Sequence, residues 1–169
     1  FFHFPLFAIG LGIPDQAAAN ILGVAGGISI AGTIIMAWLS DKWGRPFFLF
    51  LSYSIRAIGF LILMFSKGSV SLYVFMVVYG FVMFSSNPIT SATTRELYGP
   101  KSFGTLYGYL IFFHYVGSFF GPLTGGIIYD RFERYDKAFL IGAILLSIAS
   151  VFSLLLGRRN QSELQTKPV

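Results

Sequence analysis

The sequence predicts an all-α membrane protein, and three observations carry the prediction. Hydrophobic residues fill 55% of the 169 positions and charged residues only 11%, whereas a soluble domain carries about a quarter charged. The apolar residues gather in runs of 19 to 28 residues, long enough to cross a hydrocarbon core about 30 Å thick. Within the runs, small residues recur every fourth position, the spacing that lets helix backbones approach each other in lipid.

The same composition narrows the function. The net charge is +5, but the basic residues lie between and after the apolar runs instead of forming one face, so no nucleic-acid partner is expected. Cysteine is absent, which removes disulfides, thiolate metal sites and cysteine nucleophiles. The acids sit at the ends of runs, and neither metal-ligand spacing nor a phosphate loop occurs. The expectation is a protein that is not an enzyme and holds no cofactor and no metal.

Residues 1–9 are apolar but too short to span. The sequence opens on Phe1 without the basic leader and small-residue cleavage site of a signal peptide, so this stretch reads as the tail of a truncated helix and the chain as a fragment. Gly10, Gly12 and Pro14 break it. Residues 15–39 form the first complete span: 25 positions give roughly 37 Å of helix, and Asp15 suits the dipole of the first turn. Gly23, Gly27 and Ala31 form one small row and Ala25, Ser29 and Thr33 another, both expected to pack helices.

Residues 38–46 are a compact charged loop, and residues 47–65 span again beside Pro46, whose fixed φ suits a helix start. Residues 66–69 make a minimal loop, so the next span, residues 71–94, must run antiparallel to the last. It contains Ser85, Ser86, Asn87 and Pro88. The proline deletes a backbone bond and frees a carbonyl one turn earlier, a defect tolerated in lipid where protein or a wet cavity supplies partners. Residues 95–101 read as a loop, and Ser102 as the N-cap of a span over residues 102–129. Gly104 with Gly108, and Gly117, Gly121 and Gly125, predict two helices packed hard against that span. A mixed-charge loop precedes the last span, residues 137–156. Residues 1–157 thus form one helical unit, and residues 158–169 a polar tail expected to be disordered.

Lys42, Arg45, Arg95, Lys101, Arg158, Arg159 and Lys167 fall on one side, against Lys67, Arg131, Arg134 and Lys137 on the other. Cytoplasmic loops carry the excess of lysine and arginine, which places the charged loop and the C-terminus in the cytoplasm, with the chain in the cytoplasmic (inner or plasma) membrane.

At the charged loop the chain resembles the major facilitator superfamily, whose signature reads G-x-x-x-D-[RK]-x-G-[RK]-[RK]. Ala37, Asp41, Lys42, Gly44, Arg45 and Pro46 stand at those positions, with Ala37 in place of the first glycine and Pro46 in place of the last base. The stretches Ser102 to Gly108 and Gly117 to Asp130 are similar to the eleventh helix of the branch holding monocarboxylate and oxalate/formate porters. His3, Ala8, Gly12 and Ile13 are similar to the end of its seventh helix. The resemblance covers residues 1–156. It implies the C-terminal six-helix half of a twelve-helix fold with its first helix truncated, built of inverted repeats over residues 1–65 and 71–156 around half of a central cavity.

Asp41 ends one run and Arg45 starts the next, so their charges meet, and Glu96 is the natural second partner of Arg45. The resemblance implies a conformational latch here, formed by Asp41, Lys42, Gly44, Arg45 and Glu96 against the missing N-terminal half; the alternative is a solvated turn that marks topology. Arg56 lies mid-span, where a charge costs roughly 2.5–3.5 kcal/mol on insertion scales. It is either the counter-charge of a carboxylate substrate or a structural arginine bonded to carbonyls around the Pro88 defect. Asn87, Thr90 and Ser91 occupy neighbouring helix faces, and the resemblance places their helix at the cavity. His3 and His114 can donate to substrate or relay a proton near neutral pH, or simply pack.

The reading is a secondary transporter moving a small organic anion such as a monocarboxylate by alternating access. Its partners are the lipid bilayer, the missing N-terminal half, a small-molecule substrate and a coupled proton or counter-anion. Two alternatives stand beside it: an exporter of a neutral solute or drug on the same fold, and a non-transporting scaffold or remnant.

Overall fold

Each apolar run folds as helix. The computed structural model describes residues 3–66 and 68–165, with side chains as far as Gly157. Phe1, Lys67, Lys167 and the end of the polar tail lie outside the described residues, as do the Arg158 and Arg159 side chains. The helices are α1 (Phe4–Gly10), α2 (Asp15–Trp43), α3 (Arg45–Met64), α4 (Ser69–Val82), α5 (Ser86–Phe132) and α6 (Asp136–Gln165). Among the described residues no strand occurs. Four helical stretches are long and apolar enough to cross a membrane: Asp15–Trp43, Arg45–Met64, Ser69–Phe132 and Asp136–Gly157.

Four boundaries differ from the sequence reading, two of them because a glycine turns the chain. The charged loop shrinks to Gly44 alone, because its φ of 102° and ψ of 119° turn the chain in one residue, a conformation open to glycine without strain. The loop expected over residues 95–101 is a kink at Gly99 (φ 73°, ψ 168°) inside one helical run. Pro100 restarts the helix directly, so Ser102 has no free end to cap. The span expected over residues 71–94 lies within the continuous stretch Ser69–Phe132, with its helical hydrogen bonding interrupted between Val82, where α4 ends, and Ser86, where α5 starts. Finally, α6 runs past Gly157 to Gln165, where an unstructured tail was expected from residue 158.

Helix pairing explains the interior. α3 lies along α6, and α2 along α4. Ser54 and Ser150 tie the first pair with a hydroxyl bond of 2.7 Å. In the second pair the backbones nearly touch. A Cβ on Gly32 would overlap the Phe81 carbonyl, and one on Gly80 would fall 2.9 Å from the Ala25 oxygen. The buried stripe of α2 is therefore Ala18, Ile21, Ala25, Ser29, Gly32 and Met36.

Gly23 and Gly27 lie off that stripe and meet nothing within 4 Å among the described residues, nor do Gly104, Gly108, Gly117 and Gly121. The expected packing at those six glycines is not formed in this structure. α5 beyond Gly99 is exposed over most of residues 104–124, and only near its end does Gly125 admit the His3 ring, 3.2 Å from where a Cβ would stand.

Two apolar clusters fill the bundle. One joins Phe4, Ala8, Ile21, Leu63, Leu72 and Met76 across α1 to α4. The other joins Met36, Phe48, Leu49, Val82 and Ile89. Along α3, the residues between Leu49 and Leu63 include Ser52 and Arg56, and these make the polar contacts that matter next.

Candidate functional site

The candidate residues assemble at three places. At the α2–α3 junction, the Gly44 amide donates to the Ser40 carbonyl at 3.1 Å and brings the last turn of α2 against the first of α3. Arg45 donates to Asp41 Oδ1 through Nη2 at 2.8 Å and Nε at 3.1 Å. Its Nη1 donates to Glu96 on α5, so one guanidinium ties the end of α2 and the start of α3 to α5 near its Gly99 kink. Lys42, expected in the same cluster, instead places its Nζ 3.8 Å above the Trp38 ring, a cation–π contact. A cavity of about 340 Å³ opens beside the cluster, walled by Trp43, Phe47, Leu97 and Leu156 among others.

The second place is the break between α4 and α5. Ser85 Oγ donates to the Val82 carbonyl at 2.9 Å and lies 2.9 Å from Ser52 Oγ. Arg56 Nη2 donates to the Val82 carbonyl at 2.7 Å, to the Met83 carbonyl, and to Ser86 Oγ at 3.1 Å. Its Nε is buried and finds no acceptor among the described residues, and the guanidinium carbon sits 5.8 Å from the Tyr53 ring centre. Of the two roles considered for Arg56, this geometry is the one bonded to backbone around the Pro88 defect. Asn87 is exposed, and Thr90 and Ser91 are half-buried on the helix that starts there.

The third place joins α1 to the ends of α5 and α6. His3 Nε2 lies 2.8 Å from the Pro122 carbonyl, which only accepts, so Nε2 carries the proton. Nδ1 is then the acceptor for the Tyr135 hydroxyl at 3.3 Å. Burial pushes the Tyr135 phenol above its ordinary value, with Tyr129 and the Asp130 carboxylate adding to it. The phenol therefore stays protonated and available to donate. A cavity of about 470 Å³ lies alongside, lined by Phe7, Tyr129, Glu133, Tyr135 and the ion pair of Arg134 with Asp136, among others. His114 stands apart on the exposed stretch of α5, its ring packed edge-on against Tyr115.

Sequence reading did not single out Ser52, Tyr135 or the Pro122 carbonyl. A signal existed for the first, since Ser52 lies one helical turn before Arg56 and so shares its face. The other two are long-range partners with no local pattern.

Comparison with known proteins gives these contacts a context. Residues 1–168 match the Major Facilitator Superfamily profile. Human monocarboxylate transporter 12 is 26% identical over 167 residues, covering 94% of this chain and 32% of that protein. Chicken monocarboxylate transporter 9 is 27% identical over 140 residues, covering 78% of this chain and 27% of that protein. The class H tetracycline resistance protein of Pasteurella multocida is 28% identical over 127 residues, covering 75% and 31%. The chain spans about a third of the length of these curated relatives. With its profile match running nearly end to end and its long apolar helices, the chain belongs to the Major Facilitator Superfamily and is an integral membrane protein.

Proposed function

We propose that the chain works as the C-terminal half of a secondary transporter, moving a small organic anion by alternating access together with an N-terminal half. The observation that carries the reading is the Arg45 cluster. Its three charges come from three different helices, α2, α3 and α5, so a relative movement of those helices must break it. Exposed ion pairs contribute only about 0–1 kcal/mol, weak enough to open and reform in each cycle. In this reading Asp41 and Glu96 hold Arg45 in one state and exchange it for a partner on the other half. Gly44 keeps the two helix ends one residue apart. The cluster faces the cytoplasm, and a proton or counter-anion is coupled to the substrate.

The substrate class rests on the names of the relatives, two of which are monocarboxylate transporters. Asn87, Thr90 and Ser91 are the residues that would meet the substrate. A neutral substrate is favoured by a specific observation: His3 and Arg56 both bond to the protein's own carbonyls. The likeness to the tetracycline resistance protein points the same way.

The test is uptake of radiolabelled L-lactate and of tetracycline by cells expressing the complete coding sequence that contains this chain. Saturable lactate movement, abolished or slowed by Asp41→Asn at equal membrane abundance, is the expected result. Tetracycline movement alone would establish the second reading, and movement of neither probe with normal insertion would overturn both.

A further inference from the structure

Pro88 and Arg56 stand on different helices, yet the first creates the need for the second. Proline has no N–H, so the Phe84 carbonyl one turn earlier loses its ordinary helical donor. The Asn87 amide takes that oxygen at 3.2 Å. In doing so it turns away from Met83, whose carbonyl it would serve in an unbroken helix. The Met83 carbonyl is left, beside a Val82 carbonyl that has the Ser85 hydroxyl, at a junction where Val82 is fully buried and lipid offers no donor. Arg56 reaches across from α3 and donates to both.

The surroundings make this junction a pivot. Just before it, α4 is clamped to α2 at Gly80 and Phe81, so the α4 side is fixed. Just after it, residues 86–98 run to Gly99, whose φ of 73° makes a bend. Near that far end Glu96 is held by Arg45. One helix, α3, therefore grips both ends of the same lever, through two half-buried arginines.

We infer that Arg56 is a positioning residue, capping a hydrogen-bonding defect at residues 83–85, where Met83 and Ser85 keep helical φ and ψ, and that the lever of residues 86–98 swings about this defect while Arg45 and Glu96 release its far end. The cap is a property of the fold; the swing rests on the transporter reading above.

A double-mutant cycle separates the two. In the lipid-reconstituted chain, Arg56→Gln is expected to raise the unfolding constant about a hundredfold, whereas in a Pro88→Ala background the same change raises it about tenfold or less, because the substituted alanine restores the amide. Equal effects in both backgrounds would overturn the cap. Should Arg56→Gln fail to reach the membrane, recovery of its membrane abundance by Pro88→Ala reads the same coupling, and no recovery overturns it.

In the complete transporter, with L-lactate or tetracycline as probe, Pro88→Ala is expected to lower the maximal rate about tenfold while the half-saturation concentration stays within about twofold. An unchanged rate, or a raised half-saturation at full rate, would overturn the swing. If the unmodified transporter moves neither probe, the transporter reading and the swing fail together, while the stability cycle still decides the cap.

Discussion

Arg45 and Arg56 lie on one helix, eleven positions apart, and do opposite work. Arg45 meets carboxylates in the open: its side chain is 26% exposed, and those of Asp41 and Glu96 are 60% and 52% exposed. Arg56, half-buried, meets carbonyls and a hydroxyl beside the fully buried Val82. A charge facing charges near water gains little and can exchange partners. A charge facing neutral oxygens has no second charge to exchange with, and removing it takes the donor from the Met83 carbonyl and leaves Val82 the Ser85 hydroxyl alone. The residue type is the same; the reversibility of its bonds is set by depth.

Substitutions at four positions can break or sharpen that contrast, in order of expected effect. Arg56→Met should destabilise the reconstituted chain by about 3 kcal/mol, since the Met83 carbonyl loses its donor and the Val82 carbonyl and Ser86 hydroxyl each lose a charged one. An unfolding titration showing less than the Glu96 change below would reverse the comparison. Gly44→Ala should cost roughly 1–2 kcal/mol, because a side chain must then adopt the φ of 102° that holds Asp41 against Arg45. It should be measured with Gly44→Asn, which tolerates positive φ better and is expected to fall between Ala and wild type.

Ser52→Ala removes one hydroxyl partner from the Ser52–Ser85 pair and should cost about 1 kcal/mol. If it cost nothing, Arg56 alone would account for the junction. Glu96→Gln should change stability by less than about 0.5 kcal/mol, and the small difference should vanish at about 1 M salt. A loss above about 2 kcal/mol, beyond what an exposed pair contributes, would mean that the Arg45 cluster is a structural tie and not a releasable one.

Much of this was legible in the sequence. The long apolar runs marked the order of the complete spans, and the signature-like loop placed Arg45 between two acids that the fold does bring together. Pro88 announced a defect, and Arg56 announced that something in the membrane needed a charge. Which glycines matter was not legible. Four-residue spacing marks Gly23 and Gly27 as readily as a true contact, yet of the three glycines Gly23, Gly27 and Gly32 only the last faces α4, because the buried stripe is set by where the neighbouring helix lies. Helix ends were also misplaced, since Gly44 and Gly99 each turn the chain in a single residue and the charged stretches around them remain helical. The His3 contact with Pro122 and Tyr135 spans more than a hundred positions and left no local trace.

The near-touching backbones of α2 and α4 carry a consequence for how the chain is made. α3 leaves the ribosome between them, so α2 first sits in the bilayer with Gly32 facing something other than its final neighbour. The Gly32–Phe81 contact can close only after α4 has entered, and α2 must still be free to shift toward it at that moment. Any residue larger than glycine at position 32 would act at this late step, leaving the early insertion of α2 and α3 untouched and arresting the chain with α4 in the membrane but undocked.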